Sequence, residues 1–72
     1  MSQPQTLVDR HEVTRLTGFS RAWIYAQMKA GRFPKPIRIG PRSVRWVESA
    51  IREWISERIE EDRLRRSDRD GG

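Results

Sequence analysis

The stretch Asp9–Gly31, DRHEVTRLTGFSRAWIYAQMKAG, decides the fold of this chain. It reads as two short helices, over about residues 10–17 and 21–30, joined by a tight turn. Asp9 is placed to cap the first helix. Glu12, three residues on, completes a D-x-x-E capping box, in which each side chain reaches toward the other's backbone N–H. Val13 and Leu16 share one helical face. Gly18 supplies the permissive backbone that ends the helix, and Phe19 is the apolar plug of the turn. Ser20 caps the second helix by accepting from N–H groups of its first turn. Ile24 and Met28, four apart, form the buried edge of that helix, and Gly31 stops it. Helix, short glycine-containing turn, helix is the sequence form of a helix-turn-helix. Such a unit sets the start of its second helix against a DNA major groove.

Outward from this unit, Arg32–Pro36 (RFPKP) cannot be helical, because Pro34 and Pro36 each hold the preceding residue extended. Phe33 anchors the exit. Ile37 and Ile39 then alternate with Arg38, and Val44 and Trp46 with Arg45, on either side of Gly40-Pro41-Arg42-Ser43. Period-two alternation flanking such a turn predicts a β-hairpin, its apolar side toward the helices and its arginines outward. Two strands are not stable alone, so the hairpin must pack on the helical core. A basic hairpin directly after a helix-turn-helix is a wing. Val47, Ile51, Trp54, Ile55 and Ile59 form an amphipathic stripe, which predicts a last helix from about Glu48 to Arg58 or beyond. Glu48 lies in its first turn, where a carboxylate suits the helix dipole. The pairs Arg58–Asp62, Glu61–Arg65 and Asp62–Arg66 carry a solvated helix to about Arg66, with Leu64 its one apolar residue. Asp68–Gly72 is expected to be disordered. Toward the other end, Leu7 is the first residue expected in the core, beside Val13, and Met1–Gln5 reads as a frayed terminus.

The predicted fold is therefore mainly α with a small β-hairpin: a winged helix-turn-helix with two short helices, a hairpin wing and a C-terminal amphipathic helix. The expected organisation is a disordered N-terminus over 1–6, a DNA-binding domain over 7–59, and a charged helical extension with a disordered tail over 60–72. Seventy-two residues suit one domain with a thin core. That core must draw on Phe19, Trp23, Phe33, Trp46 and Trp54. There is no cysteine, which excludes disulfides and thiolate metal sites, and one histidine among scattered carboxylates implies no metal and no cofactor. No apolar run approaches membrane-spanning length and no signal peptide is evident, so the chain is expected to be soluble and intracellular.

The net charge of +5 is unevenly distributed. Residues 10–46 carry nine basic groups and one acid, whereas residues 47–72 carry six arginines and eight acids. The positive charge thus lies on the helix-turn-helix and the segment after it, a surface suited to a polyanion.

Three runs resemble the AlpA family of phage and genomic-island regulators. They are VTRLTGFSRAWIY with MKAGRFPKPIRIG, then RSVRW, then the IREWI helix with seven residues between Trp46 and Trp54. The likeness covers about residues 7–57. It departs from the family pattern at Ala50-Ile51, where an acid often precedes the apolar residue, and at Gln27, often apolar there. The resemblance implies a winged-helix-type fold similar to excisionases and to the DNA-binding end of MerR regulators. It also implies a bacterial, cytoplasmic, nucleoid-associated protein. Members act as activators of a resident integrase or as excision factors that bend DNA. An integrase, or a second copy on an adjacent DNA site, is the implied protein partner.

On a helical wheel anchored at Ile24 and Met28, the far side of the second helix holds Ala22, Tyr25, Ala26 and Lys29, with Ser20 and Arg21 at its start. Arg21 can read a guanine edge with both guanidinium arms or hold a phosphate. Ser20 is a cap whose neighbouring N–H groups can also hold a phosphate. Tyr25 can direct its hydroxyl at the DNA backbone or pack on the hairpin, and Lys29 suits a phosphate. Arg42 at the wing tip, with Arg38 and Arg45 on the strands, can reach a minor groove or its phosphates. The same three charges would also guard a solvated edge strand. Trp23 lies at the helix flank, where core packing and a DNA-facing position both fit.

The competing classes are an excision factor and a protein-interaction module that docks through its C-terminal helix. A mobility shift on specific and scrambled duplexes separates the second from DNA recognition. No nucleophile with a base, no carboxylate pair in a pocket context, no phosphate loop and no ligand cluster points to an enzyme or to a small-molecule substrate. The aromatic sheet platform usual for RNA recognition is also missing.

Overall fold

The computed structural model describes the backbone of residues 5–71 and the side chains of residues 5–67. Met1–Pro4 and Gly72, both in stretches expected to be disordered, lie outside the described residues. The order of elements is β1 (Leu7–Val8), α1 (Arg10–Thr17), α2 (Arg21–Lys29), β2 (Ile37–Gly40), β3 (Ser43–Val47) and α3 (Glu48–Gly71). The strands form one antiparallel sheet in the order β1-β3-β2.

Local chemistry explains both ends of α1 and α2. Asp9 accepts from the Glu12 N–H at 2.9 Å. Glu12 does not return the bond: its carboxylate pairs with Arg15, one turn on, so the capping box is half made. Gly18 closes α1 at φ 79° and donates to Thr14 O at 2.7 Å, a backbone that a Cβ would strain. The Thr17 hydroxyl donates back to Val13 O and accepts from the Phe19 N–H, which fixes the turn. Ser20 then accepts from the Trp23 N–H at 3.2 Å. At the far end of α2, Gly31 (φ 75°) donates to Met28 O and Arg32 to Gln27 O, the paired bonds of a Schellman motif.

The core consists of Val8, Val13, Ile24, Phe33, Trp46 and Ile51, with Leu16, Phe19, Trp23, Met28, Val44, Trp54 and Ile55 packed against it. Val8, not Leu7, is the first core residue. It pairs with Trp46 in the β1–β3 ladder, while Leu7 pairs with Val47 and stays 43% exposed. A two-residue strand shows no alternation, so its inward member is settled only by its partner. Thr6, placed above with the disordered terminus, accepts from the Glu48 N–H at 2.8 Å, which ties the start of α3 to this edge of the sheet.

The hairpin departs from expectation in its register. Next to the turn, Gly40 pairs with Ser43. Continued regularly, that register would set Ile39 opposite Val44 and Ile37 opposite Trp46. A bulge between Arg38 and Gly40 adds one residue to β2, so the observed pairs are Ile37 with Arg45 and Arg38 with Val44. Slipping one residue exchanges the faces of a strand. Ile37 is thus 44% and Ile39 54% exposed, and the expected inward isoleucines are corrected to outward ones.

The α3 stripe is also shorter than expected. Ile51 is fully buried and Trp54 and Ile55 are partly buried, but Ile59 is 63% exposed. The backbone is helical through Gly71, beyond the Arg66 limit and across most of the segment expected to be disordered. Once a helix is nucleated, each further residue adds one hydrogen bond, and i,i+3 and i,i+4 ion pairs add to it. Asp62–Arg66 forms as expected, but Arg58 pairs with Glu61 rather than Asp62, and Arg65 with Asp62 rather than Glu61.

Candidate nucleic-acid interface

The segment between α2 and β2 is positioned by two tryptophans. Trp46 donates its indole N–H to Pro34 O at 3.0 Å, and Trp54 donates to Arg32 O at 2.9 Å. Two carbonyls of a proline-interrupted stretch that cannot complete a ladder are thereby satisfied. Phe33 is buried between them in sequence, and its ring meets Trp54 edge-on at 4.9 Å. This clamp sets where α2 ends and where the hairpin begins.

Trp23 belongs to the same aromatic cluster. It stacks on Phe19 with centroids 3.8 Å apart and meets Trp54 and Phe33 edge-on. Of its two open positions, the packed one is observed. A groove beside this cluster is lined by Phe19, Trp23, Gln27, Arg32, Trp54 and Arg58, among others. The Arg58 guanidinium lies 5.1 Å from the Trp54 ring centroid.

The residues expected to meet DNA fall as follows. Ser20, Arg21, Ala22, Tyr25, Ala26 and Lys29 are all exposed, so the far side of α2 is free. The Arg21 guanidinium lies 5.8 Å from the Tyr25 ring centroid, one turn along the same face. A cation held on a ring in this way spends less rotamer freedom on binding. Arg38 and Arg42 are exposed; Arg45 is half-buried and donates to Val44 O at 2.8 Å. His11 is exposed.

Ion pairing divides the chain sharply. Arg52, Arg58, Arg63, Arg65 and Arg66 on α3 each pair with a carboxylate of the same helix. Arg15 pairs with Glu12. From Arg21 to Arg45 there are seven cations and no carboxylate, and none of the seven is in an ion pair among the described residues. Arg32 and Lys35 belong to this set. Both lie in the acid-free run from Val13 to Val47, and Arg32 lines the groove beside Trp54. Among the described residues no group of three acidic, histidine or cysteine side chains could hold a metal ion.

Two carboxylates near this surface titrate low. Asp9 is held below the usual carboxylate range by accepting from the Glu12 N–H. Glu12 is held low by its hydrogen bond from Arg15, whose own pKa is raised by the same contact. Both remain charged at neutral pH and act on helix α1.

The family model described as prophage CP4-57 regulatory protein (AlpA) matches residues 6–59. The chain is 42% identical over 52 residues to the DNA-binding transcriptional activator AlpA of Escherichia coli strain K12, covering 64% of this chain and 74% of that protein. It is 38% identical over 48 residues to the uncharacterized protein ORF88 of enterobacteria phage P4, covering 67% of this chain but about half, 54%, of that protein. No solved structure matches the chain.

Proposed function

The chain belongs to the AlpA family of prophage regulatory proteins, and we propose that it is a sequence-specific, double-stranded DNA-binding regulator of phage or mobile-element genes, such as an integrase gene. One observation carries this reading: among the described residues, seven cations from Arg21 to Arg45 have no carboxylate partner, beside five α3 arginines that are paired within the helix. An unpaired cationic run is what phosphate neutralisation needs. In this reading α2 enters the major groove, with Arg21 at a base edge or phosphate and Ser20, Ala22, Tyr25 and Lys29 along the contact. The β2–β3 hairpin is the wing, and Arg38, Arg42 and Arg45 meet the backbone or an adjacent minor groove. Such a regulator acts in the cytoplasm; among the described residues no helix is long and apolar enough to cross a membrane.

Selection from a pool of random duplexes tests the proposal. Enrichment of one motif, with a mobility shift lost on its scrambled version, is the expected result. A pool that stays random after repeated rounds would leave only non-specific affinity and reject the reading.

A further inference from the structure

The bulge in β2 has a cost. It turns Ile37 away from the core and leaves Ile39 without a partner across the ladder, both about half exposed. The register at the turn would otherwise have set them opposite Trp46 and Val44. Bulges commonly re-aim a side chain for use. Ile37 shares its face with Arg45, its ladder partner, and the hairpin contains no carboxylate.

A second copy pairing along the free edge of β2 could cover them. It would bring Arg38 on the edge strand and Arg42 at the turn against the same residues of the other copy with no acid to separate them, the pattern that blocks edge pairing. Charge complementarity instead selects a polyanion with a crevice that accepts apolar groups. The minor groove of duplex DNA is such a crevice, and isoleucine is among the side chains that wedge between base steps there. Ile39 lies next to the Gly40–Ser43 turn, at the end of the hairpin.

We infer that Ile39, supported by Ile37, is an apolar wedge that enters the minor groove of bound DNA and unstacks a base step, while Arg42 at the turn and Arg45, the ladder partner of Ile37, hold the neighbouring phosphates. The inference rests on the DNA-binding reading above. It adds that the hairpin deforms the duplex rather than only touching it, and that flexible TA or CA steps are preferred under the wedge.

The test uses A·T-rich duplexes of about 30 bp with one central TA step. Dyes at the ends report bending by energy transfer, and 2-aminopurine at the central step reports unstacking. The full chain is compared with Ile39→Ala and Ile37→Ser, each first shown by thermal melting to be folded, and with Ile39→Leu as the conservative control. The wild type and Ile39→Leu are expected to raise both signals, consistent with a kink of about 20–90°. Ile39→Ala is expected to bind within about tenfold yet lose most of both signals, and Ile37→Ser to lose part. Binding by every form with no change in either signal, or equal signals from Ile39→Ala and wild type, overturns the wedge and leaves the DNA reading standing. No binding by the wild type rejects the DNA reading itself. A dimer of the free protein in sedimentation that Ile39→Ala converts to monomer, with no bending on DNA, would assign the patch to a second copy and overturn the wedge.

Discussion

The indole N–H of Trp46 donates to the carbonyl of Pro34 at 3.0 Å. The bond joins the central strand of the sheet to the segment that leaves α2. Trp54 makes the matching bond from α3 to Arg32 O. Together they relate the exposed side of α2 to the hairpin through three elements rather than through the chain alone. The geometry of the cationic surface therefore depends on residues that carry no charge.

Trp46 is fully buried, so Trp46→Ala should lose about 3–5 kcal/mol, enough to unfold much of so small a domain. Trp46→Phe keeps most of the apolar volume but leaves the Pro34 carbonyl without its donor, and should cost about 1–3 kcal/mol. Trp54→Ala should cost less than Trp46→Ala, because its ring is only partly buried. Thermal melts of the three variants check this ranking. A Trp54→Ala protein that melts like wild type would show that α3 does not secure the end of α2.

Arg21 and Arg42 should differ in kind. With a base-edge contact, Arg21→Ala loses about 1–3 kcal/mol on the cognate duplex and less on a scrambled one. Arg42→Ala should weaken both duplexes alike and make the salt slope shallower by about one unit. Both side chains are exposed, so both variants should melt like the parent. Paired isotherms decide it, and the opposite pattern would exchange the roles of helix and hairpin.

Part of the acid limb of stability should trace to α1, beside Glu60 on α3, which its hydrogen bond from Arg63 also holds low. Folding lowers the pKa of Asp9 through the Glu12 N–H and that of Glu12 through Arg15. Groups depressed on folding stabilise fully above their unfolded values and lose that contribution as pH falls through the folded ones. The melting temperature should therefore drop below about pH 4. Asp9→Asn keeps an oxygen acceptor without titrating, and with Glu12→Gln should flatten part of this drop, the rest remaining with Glu60. A double variant with the wild-type acid profile would place the sensitive carboxylates elsewhere.

Truncation after Asp62 should change stability by less than about 1 kcal/mol, since the pairs lost lie on the helix surface and are worth a few tenths each. Leu64, the one large apolar side chain removed, is 56% exposed and leaves no cavity. A larger loss, read in urea, would mean that the extension packs on the domain.

The two capped helices were legible in the sequence because their signals are local: Asp9, Gly18, Ser20 and Gly31 each act within one turn of themselves. The aromatic and aliphatic core was legible from periodicity, except where long-range pairing chooses between neighbours. Leu7 and Val8 are one such choice, settled by Trp46. The faces of β2 are another. Alternation shows that two strands have apolar and basic sides, but one bulge decides whether those sides agree, and nothing in IRIGPRSVRW announces it. The charge of the candidate interface was plain from composition. That α3 pairs its own arginines while the residues from Arg21 to Arg45 pair none needed the coordinates.

The central claim is that this unpaired cationic run neutralises DNA phosphates, and the slope of log K against log salt tests it most directly. With roughly four to six phosphates engaged, titrations at three or more salt concentrations should give a slope of about −4 to −5 on duplex DNA. Arg38→Ala with Arg42→Ala should bring it toward about −2 to −3 while the melting temperature holds. A slope near zero, or one that the double variant leaves unchanged, would contradict the account.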